Sequence, residues 1–501
     1  MNKRYDIVII GGGLAGNVVA RQVRRRLPSA SILLLEAKKE RTHKVGESTV
    51  EIAANYFTRR LGLSKYLYEE HLPKNALRYF FDSEDRNASL TEMSEIGANA
   101  LPLFPSFQID RSRFETDLLE MNRNDDIDIE IGARVSELTL EGASDSEPHR
   151  LKIQAGGEEH EVSARWVVDA SGRESLIAKQ RDLRVREDKL RIAAAWGRFE
   201  NIADIDQVDS KEFGDRVDWT SRHLSTNHFM YPGYWIWLIP LRKGRVSIGL
   251  VRSSESWGPD LHRPEGFLEE LGQHRAVREL IEGADQIDHA AFTQLAYRTK
   301  QFFSADRWAC VGDSAAFTDP FYSPGSDFIA VESDLTTELI ARDLGGDEFR
   351  SVAKMFDAFM KHRFDLTMML YEDQYSAFGS YAIFNAKCYY DTAGYYNYFF
   401  GPYARDEHLD PDWIQRQLRF EKPAIRQLRE VQDLFTDAEA ELRKQGRFFE
   451  HNTGEMTPLP QAAFGFNEGI RTPQSDLDVF RKGQMIVDNT KKMLADFVNP
   501  A

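Results

Sequence analysis

Asp6-Ile-Val-Ile-Ile-Gly11-Gly-Gly13-Leu-Ala-Gly16 opens the chain, and Ser31-Ile-Leu-Leu-Leu-Glu36 follows, its glutamate twenty residues after the last of these glycines. An apolar strand runs into a glycine-rich turn and a helix, and a second apolar strand ends on a carboxylate. Gly11 allows the tight turn, Gly13 lets the backbone approach a pyrophosphate, and Gly16 lets helix and strand pack closely. The phosphates of a dinucleotide would sit on the helix N-terminus, where unpaired N–H groups and the helix dipole favour negative charge. Glu36 stands at the spacing expected of a ribose contact. Glycines alone also mark ordinary turns; the ordered succession of strand, motif, helix, strand and carboxylate is what predicts a dinucleotide site.

At 501 residues the chain has room for two or three domains. Its composition, 42% hydrophobic and 29% charged, is that of a soluble globular protein. A net charge of −16 argues against a nucleic-acid or anionic-membrane binder, which needs a basic footprint. The one dense basic run, Arg21 to Arg26, falls on the first predicted helix and reads as a solvated face. Cys310 and Cys388 sit in no CxxC pattern, so neither a thiolate metal site nor a disulfide framework is expected. No stretch approaches the roughly 18 apolar residues of a membrane-spanning helix. The first apolar run is short and leads directly into the glycine loop, unlike a signal peptide. A cytoplasmic location is the expectation.

Glu47 to Leu67 has helical spacing until His71-Leu-Pro73 interrupts it; Arg78-Tyr-Phe-Phe81 reads as a strand and Arg86 to Pro105 as a loop excursion. Arg111 to Asn122 predicts a helix with Phe114, Leu118 and Leu119 on one face. Ile127 to Val135, Arg150 to Gln154 and His160 to Val162 alternate like strands, and Trp166-Val-Val-Asp169 is a buried strand ending in a turn. Strand-like text runs from about Arg191 to Phe292, most clearly at Tyr234 to Pro240 and Val246 to Val251. Trp308-Ala-Cys-Val-Gly-Asp313 returns to a buried strand before a helix from Ile329 to Asp343. The expected architecture is α/β. A Rossmann-like nucleotide-binding domain covers 1–190 and returns over 296–345, a sheet domain for substrate is inserted at 191–295, and 346–501 is mostly helical.

Lys44-Val-Gly46-Glu47-Ser48 lies just beyond the second strand, where a flavin ring system would lie if the nucleotide were FAD. Asp169-Ala-Ser-Gly172 and Gly312-Asp313-Ser-Ala-Ala-Phe-Thr-Asp319-Pro320 resemble the later FAD motifs of the flavoprotein monooxygenase superfamily. In that superfamily the carboxylate at the position of Asp313 hydrogen-bonds the ribityl chain. Trp235-Ile-Trp237-Leu-Ile239-Pro240 resembles the WxWxIP signature of the flavin-dependent halogenases. Phe317-x-x-Pro320-x-x-Ser323-x-Gly325 resembles that family's second signature. Lys74, in His71-Leu-Pro-Lys-Asn75, lies where those enzymes carry their essential lysine. The resemblance spans about the first 345 residues. It implies FAD held by Gly11, Gly13, Gly16, Glu36, Gly46, Glu47, Ser48, Arg111, Asp313 and Gly325. It also implies a flavin–substrate wall of Trp235, Trp237, Phe317, Pro320 and Ser323, and catalysis by Lys74.

The residues support this reading on their own terms. On a strand, Trp235 and Trp237 point to the same face, and two adjacent indoles make a wall that stops an organic substrate and passes only a small species. The same spacing also fits the aromatic core of a strand. Lysine is usually a surface residue. Held in an apolar pocket, its ammonium donates strong hydrogen bonds to hypohalous acid, or, after losing its proton, the amine forms a haloamine; the sequence leaves both open.

The implied activity is halogenation of an electron-rich aromatic, a phenol or pyrrole, as in secondary metabolite biosynthesis. Reduced FAD and oxygen give a C4a-hydroperoxide, a chloride or bromide ion attacks its distal oxygen, and the hypohalous acid passes to Lys74. With a single dinucleotide fingerprint in the chain, a separate flavin reductase is expected to supply the reduced cofactor. Three residues depart from the family. Pro324 stands where a backbone N–H would face the halide, and proline has none. Asp327 sets a carboxylate nearby. Tyr322 replaces the glutamate of the tryptophan halogenases, which argues against free tryptophan as substrate. Two readings compete: an FAD monooxygenase or dehydrogenase without halide use, which Pro324 favours, and a flavoprotein acting on a protein or carrier-bound partner. The aromatic-rich segment Tyr371 to Tyr403 fits a substrate pocket or carrier dock as well as helix-packing core or a dimer surface. Substrate identity, carrier tethering and oligomeric state stay open.

Overall fold

Ile7, Val8 and Ile9 are fully buried on both faces of the first strand, Lys3–Ile10, as a parallel strand covered by helices must be. In the computed structural model, which describes residues 3–40, 42–144, 147–459, 470 and 472–499, this strand lies inside a sheet of seven described strands. It runs parallel to Ile32–Glu36 on one side and to Glu158–Asp169 on the other. Glu158–Asp169 changes neighbour along its length: its start pairs antiparallel with His149–Ala155 and its end parallel with Trp308–Cys310. The late strand thereby delivers Gly312 and Asp313 to the same edge as the glycine turn. Helix Leu14–Arg26 leaves that turn and packs against Arg111–Asn124 and Gly325–Gly345.

Two glycines are demanded by this crossing. Gly11 has φ +106°, and a Cβ there would stand 2.2 Å from the Ala170 carbonyl oxygen; one on Gly16 would stand 1.8 Å from the Gly11 carbonyl oxygen. Strand, turn and helix approach this closely only without side chains. The basic run expected to be a solvated face is partly used for docking: Arg21 bonds Asp125 (2.7 Å) and Arg25 the Arg60 carbonyl (3.1 Å). Gln22 between them is buried and donates to Asp334 (2.5 Å).

A second sheet holds nine described strands. Tyr234–Pro240 lies in it between Thr226–Tyr231 and Val246–Ser253, with Ile192–Glu200 beyond the latter. The sheet does not respect the expected boundaries. Leu77–Phe81 and Ser94–Gly97 extend it from within the first segment, and Met456–Pro458 closes its edge from within the helical region. The stretch 86–105, expected to be loop, thus carries a strand. Its polar text hides the strand because Glu95 is paired internally, with Arg78 and with Arg222 (2.9 Å), all buried. Asn452, fully buried, ties this edge to the helices: its Nδ2 donates to the Asp82 and Gly379 carbonyls (2.8 Å each), and its Oδ1 accepts from the Tyr381 N–H (2.9 Å).

The C-terminal region is helical, as expected, with Arg350–Met369, Tyr381–Gly394, Pro411–Arg419, Glu421–Lys444 and Asp476–Val498 as its main helices. Both cysteines are buried and free, and no described helix is long and apolar enough to cross a membrane. The close crossing makes a contrast measurable by thermal denaturation. Gly16→Ala is expected to destabilise by about 2 kcal/mol or more through backbone overlap. Gly214→Ala, whose Cβ would meet nothing within 4 Å, is expected to leave the melting temperature unchanged.

Candidate active site

A cavity of about 1280 Å3 opens beyond the glycine turn. Every residue expected to hold the cofactor lines it except Gly16, which faces Gly11 instead; the wall residues Trp235, Trp237, Phe317, Pro320 and Ser323 line it too. Gly13 gives the most direct test of fit to a dinucleotide. A Cβ there would meet only Lys44 Nζ at 3.7 Å and Glu115 Oε2 at 4.0 Å, so packing does not demand the glycine. The space it leaves belongs to the cavity, and no side chain caps the helix that Gly13 begins. First-turn N–H groups therefore remain for an anion. Glu36 is fixed at the cavity edge, accepting from the Gly12 N–H (2.9 Å) and the Lys38 N–H (2.7 Å).

Gly46, at φ +90°, is required by Arg111: a Cβ there would stand 2.6 Å from Nη1, which donates to the Val45 carbonyl (3.0 Å). The sequence reading missed Glu115, which accepts from Arg111 and from Lys44 (2.6 Å each). Burial raises its carboxyl, but the two cations outweigh this and hold it below its usual range. It also missed Arg198, whose Nε donates to Glu47 (2.9 Å) in an ion pair only 2% exposed on either side. Burial raises the Glu47 carboxyl against the pull of Arg198. Asp313 lines the cavity; Tyr297 donates to its main-chain oxygen (2.6 Å), and among the described residues none hydrogen-bonds its carboxylate. Such a donor and acceptor set, with its glycine cradle, fits FAD.

Trp235 and Trp237 lie on one face, ring centroids 5.8 Å apart, and each indole is anchored. Trp235 Nε1 donates to the Tyr375 hydroxyl (3.1 Å), which in turn donates to Asp319; Trp237 Nε1 donates to Ser247 (3.2 Å). Burial lifts the Asp319 carboxyl to about 7. Gly249 pairs with Trp237 across the sheet, and a Cβ on it would stand 2.1 Å from the indole. Phe321 packs edge-on to Trp235 at 5.0 Å. Ser323 has φ +56°, uncommon for a residue with a Cβ, and its N–H donates to the Pro320 carbonyl (2.9 Å), turning the chain into helix Gly325–Gly345.

Lys74 lines a second cavity, of about 840 Å3. It is 1% exposed, and its Nζ donates to Ser48 Oγ (2.7 Å) and to the Thr49 carbonyl (2.8 Å). Ser48 lines the first cavity and Lys74 the second, while Pro324 and Phe328 line both. The lysine therefore stands at the boundary between them. Burial lowers it to about 7, against the upward pull of Glu51 and Asp327. Asp327 does not crowd the 323–325 turn as its position in the sequence suggested. It accepts from the Ala53 N–H (2.8 Å) and the Tyr395 hydroxyl (2.9 Å) and faces the second cavity. Burial raises its carboxyl to about 7. Tyr371, Tyr390, Tyr395, Tyr396, Tyr398 and Phe399 line this cavity, whereas Phe378 and Phe384 pack behind it against Phe321. Tyr322 donates to Asp391.

The FAD binding domain family matches residues 4–328. A flavin-dependent halogenase of Dictyostelium discoideum is 30% identical over 447 residues, covering 81% of this chain and 72% of that protein. A 1H-pyrrole-2-carbonyl-[peptidyl-carrier protein] chlorinase of Pseudomonas fluorescens is 25% identical, over 64% of this chain and 72% of its own length. Among solved structures, halogenase PltM in complex with phloroglucinol and FAD has a TM-score of 0.67 at 15% identity, covering 99% of this chain and 98% of that one. That likeness is one of fold and includes the helical C-terminal region.

Two substitutions separate cofactor binding from packing. Gly13→Val is expected to fold with about the melting temperature of FAD-stripped wild type and to elute from gel filtration without flavin absorbance. Lys74→Met is expected to raise the melting temperature, and by more at pH 6 than at pH 9. The unfolded chain binds the lysine proton up to about 10.5 while the folded one releases it near 7. The cost of the buried ammonium is therefore full below pH 7 and fades as the pH rises toward 10.5.

Proposed function

Since the chain belongs to the flavin-dependent halogenases, FAD-dependent enzymes, we propose that it halogenates a small electron-rich aromatic held in the second cavity, with Lys74 presenting the electrophilic halogen. The observation that carries this reading is the buried ammonium at the boundary of the two cavities. Gly11, Gly13, Glu36, Gly46, Glu47, Ser48, Arg111, Asp313 and Gly325 would hold FAD, which when bound and reduced would supply the two electrons that bring oxygen to the peroxide level and so the oxidising power toward halide. A separate flavin reductase provides the reducing equivalents. Trp235 and Trp237, anchored through Tyr375 and Ser247, keep the aromatic from the flavin and let hypohalous acid pass.

Lys74 uses two N–H groups on Ser48 and Thr49, and an ammonium has a third. That third N–H bonds the oxygen of hypohalous acid and draws electrons from the halogen. The ring π electrons form the carbon–halogen bond, the halogen–oxygen bond breaks, and the hydroxide leaves as water with the displaced ring proton. Chloride or bromide binds at the start of helix Gly325–Gly345, where Gly325 and Ser326 offer N–H groups that Pro324 does not, and Asp327 faces elsewhere.

The substrate is a phenol or a pyrrole, free or carrier-tethered; a chlorinase of a carrier-bound pyrrole is among the relatives at 25% identity. Mass spectrometry of products from phenols, pyrroles and a pyrrolyl carrier protein, with a flavin reductase and chloride or bromide, tests both substrate and halide. Lys74→Ala is expected to bind FAD and consume reduced flavin and oxygen at the wild-type rate, while halogenated product falls at least about a hundredfold. In the wild type, product formation should decline as the pH rises through about 7, because the donor form of Lys74 is lost. A rise through the same range would replace the ammonium by a haloamine route. Normal product from Lys74→Ala would refute the role of the lysine.

A further inference from the structure

Arg363 lies on the helix Arg350–Met369 and lines the second cavity, yet it is 8% exposed. Among the described residues, no side chain or carbonyl accepts a hydrogen bond from its guanidinium, and its Nε is buried without a partner. Its charge is met by ring faces and by the fields of Asp327 and Glu332, neither of which is hydrogen-bonded to it. The guanidinium carbon is 4.7 Å from the Phe399 ring and 5.8 Å from Phe328. Asp327, the carboxyl that acts on it most strongly, already accepts from Ala53 and Tyr395.

Aromatic faces attract a cation, but they do not satisfy five N–H donors in a fork. A buried, unpaired guanidinium is costly unless something completes it. Here the opening beside it is the cavity that also holds Lys74. Resting on the substrate reading above, we propose that Arg363 is the specificity residue of this cavity. It takes an oxyanion carried by the aromatic substrate, a carboxylate or an ionised phenol, in a bidentate or single charge-assisted hydrogen bond. Phe399 and Phe328 hold the guanidinium plane, and the ring of the substrate extends from it toward Lys74. The arene that this enzyme halogenates is therefore an anion, and anchoring its oxygen at Arg363 selects which ring carbon meets the halogen.

The test is equilibrium binding to the FAD-loaded oxidised protein, with neither halide nor reductase, so the answer does not depend on turnover. The probes, all at one pH, are 2,4-dihydroxybenzoate against its methyl ester, and 2,4-dinitrophenolate against 2,4-dinitroanisole. Wild type is expected to favour at least one anion over its neutral counterpart by about tenfold or more, and which anion identifies the oxyanion as carboxylate or phenolate. Arg363→Met is expected to bring that ratio to near one while leaving neutral affinity and the flavin spectrum unchanged, and Arg363→Lys to keep part of it. No preference for either anion in wild type, or a preference that survives in Arg363→Met, overturns the proposal. If Arg363→Met fails to hold FAD, the ratio in wild type and in Arg363→Lys still decides. A protein that discriminates anions but yields no halogenated product would separate this inference from the halogenation reading.

Discussion

The carbonyl of Ala170 occupies the place where a side chain on Gly11 would stand, and the carbonyl of Gly11 does the same to Gly16. This contact locks the first strand, the helix after it and the end of Glu158–Asp169 into one crossing. The glycine-turn side of the first cavity hangs from it. Its direction aims the helix N-terminus at the cavity, and the strand end it fixes carries Asp169 into the turn that meets Gly312. Glu36 and Asp313 belong to stretches 277 residues apart, and they converge because both of their strands join the same sheet.

Across the wall the electrostatics change character. The first cavity is bounded by committed ion pairs, Glu47 with Arg198 and Glu115 with Arg111 and Lys44. Glu115 answers two cations at once. Burial brings groups close to neutrality on both sides, Asp319 in the first cavity and Lys74 and Asp327 in the second, with Glu51 also raised. Such groups can exchange a proton near neutral pH at little cost, and in the second cavity one of them is a lysine.

Much of the first cavity was legible in the sequence because its residues act through backbone shape. A glycine at Gly11, Gly13 or Gly46 announces itself in a one-dimensional text, as do two tryptophans two residues apart. What the sequence concealed was the set of partners that hold those residues. Glu115 lies 71 residues from Lys44, Arg198 lies 151 from Glu47, and Tyr375 lies 140 from Trp235. Each looks like an ordinary surface or core residue until the fold pairs it. Gly249 carries no local turn signal, since its missing side chain serves an indole on the neighbouring strand. The strand Ser94–Gly97 escaped notice for a related reason: its glutamate reads as solvated, and only the Arg78 and Arg222 partners make it a buried position. Arg363 shows the limit from the other side: its place in a mostly helical stretch does not reveal that no described residue hydrogen-bonds its guanidinium.

The edge formed by Met456–Pro458 on Ser94–Gly97 has a consequence for how the molecule comes into being. Ser94 donates to the carbonyl of His451, 357 residues away, so the sheet that carries the tryptophan wall cannot be completed until nearly the whole chain has been synthesised. Contacts of such separation are slow to form. In the interval Ser94–Gly97 is a bare edge beside an apolar sheet, the type of surface that pairs with another copy. Met456–Pro458 thus covers, late in synthesis, an edge of the tryptophan-bearing sheet that a shorter chain would leave open.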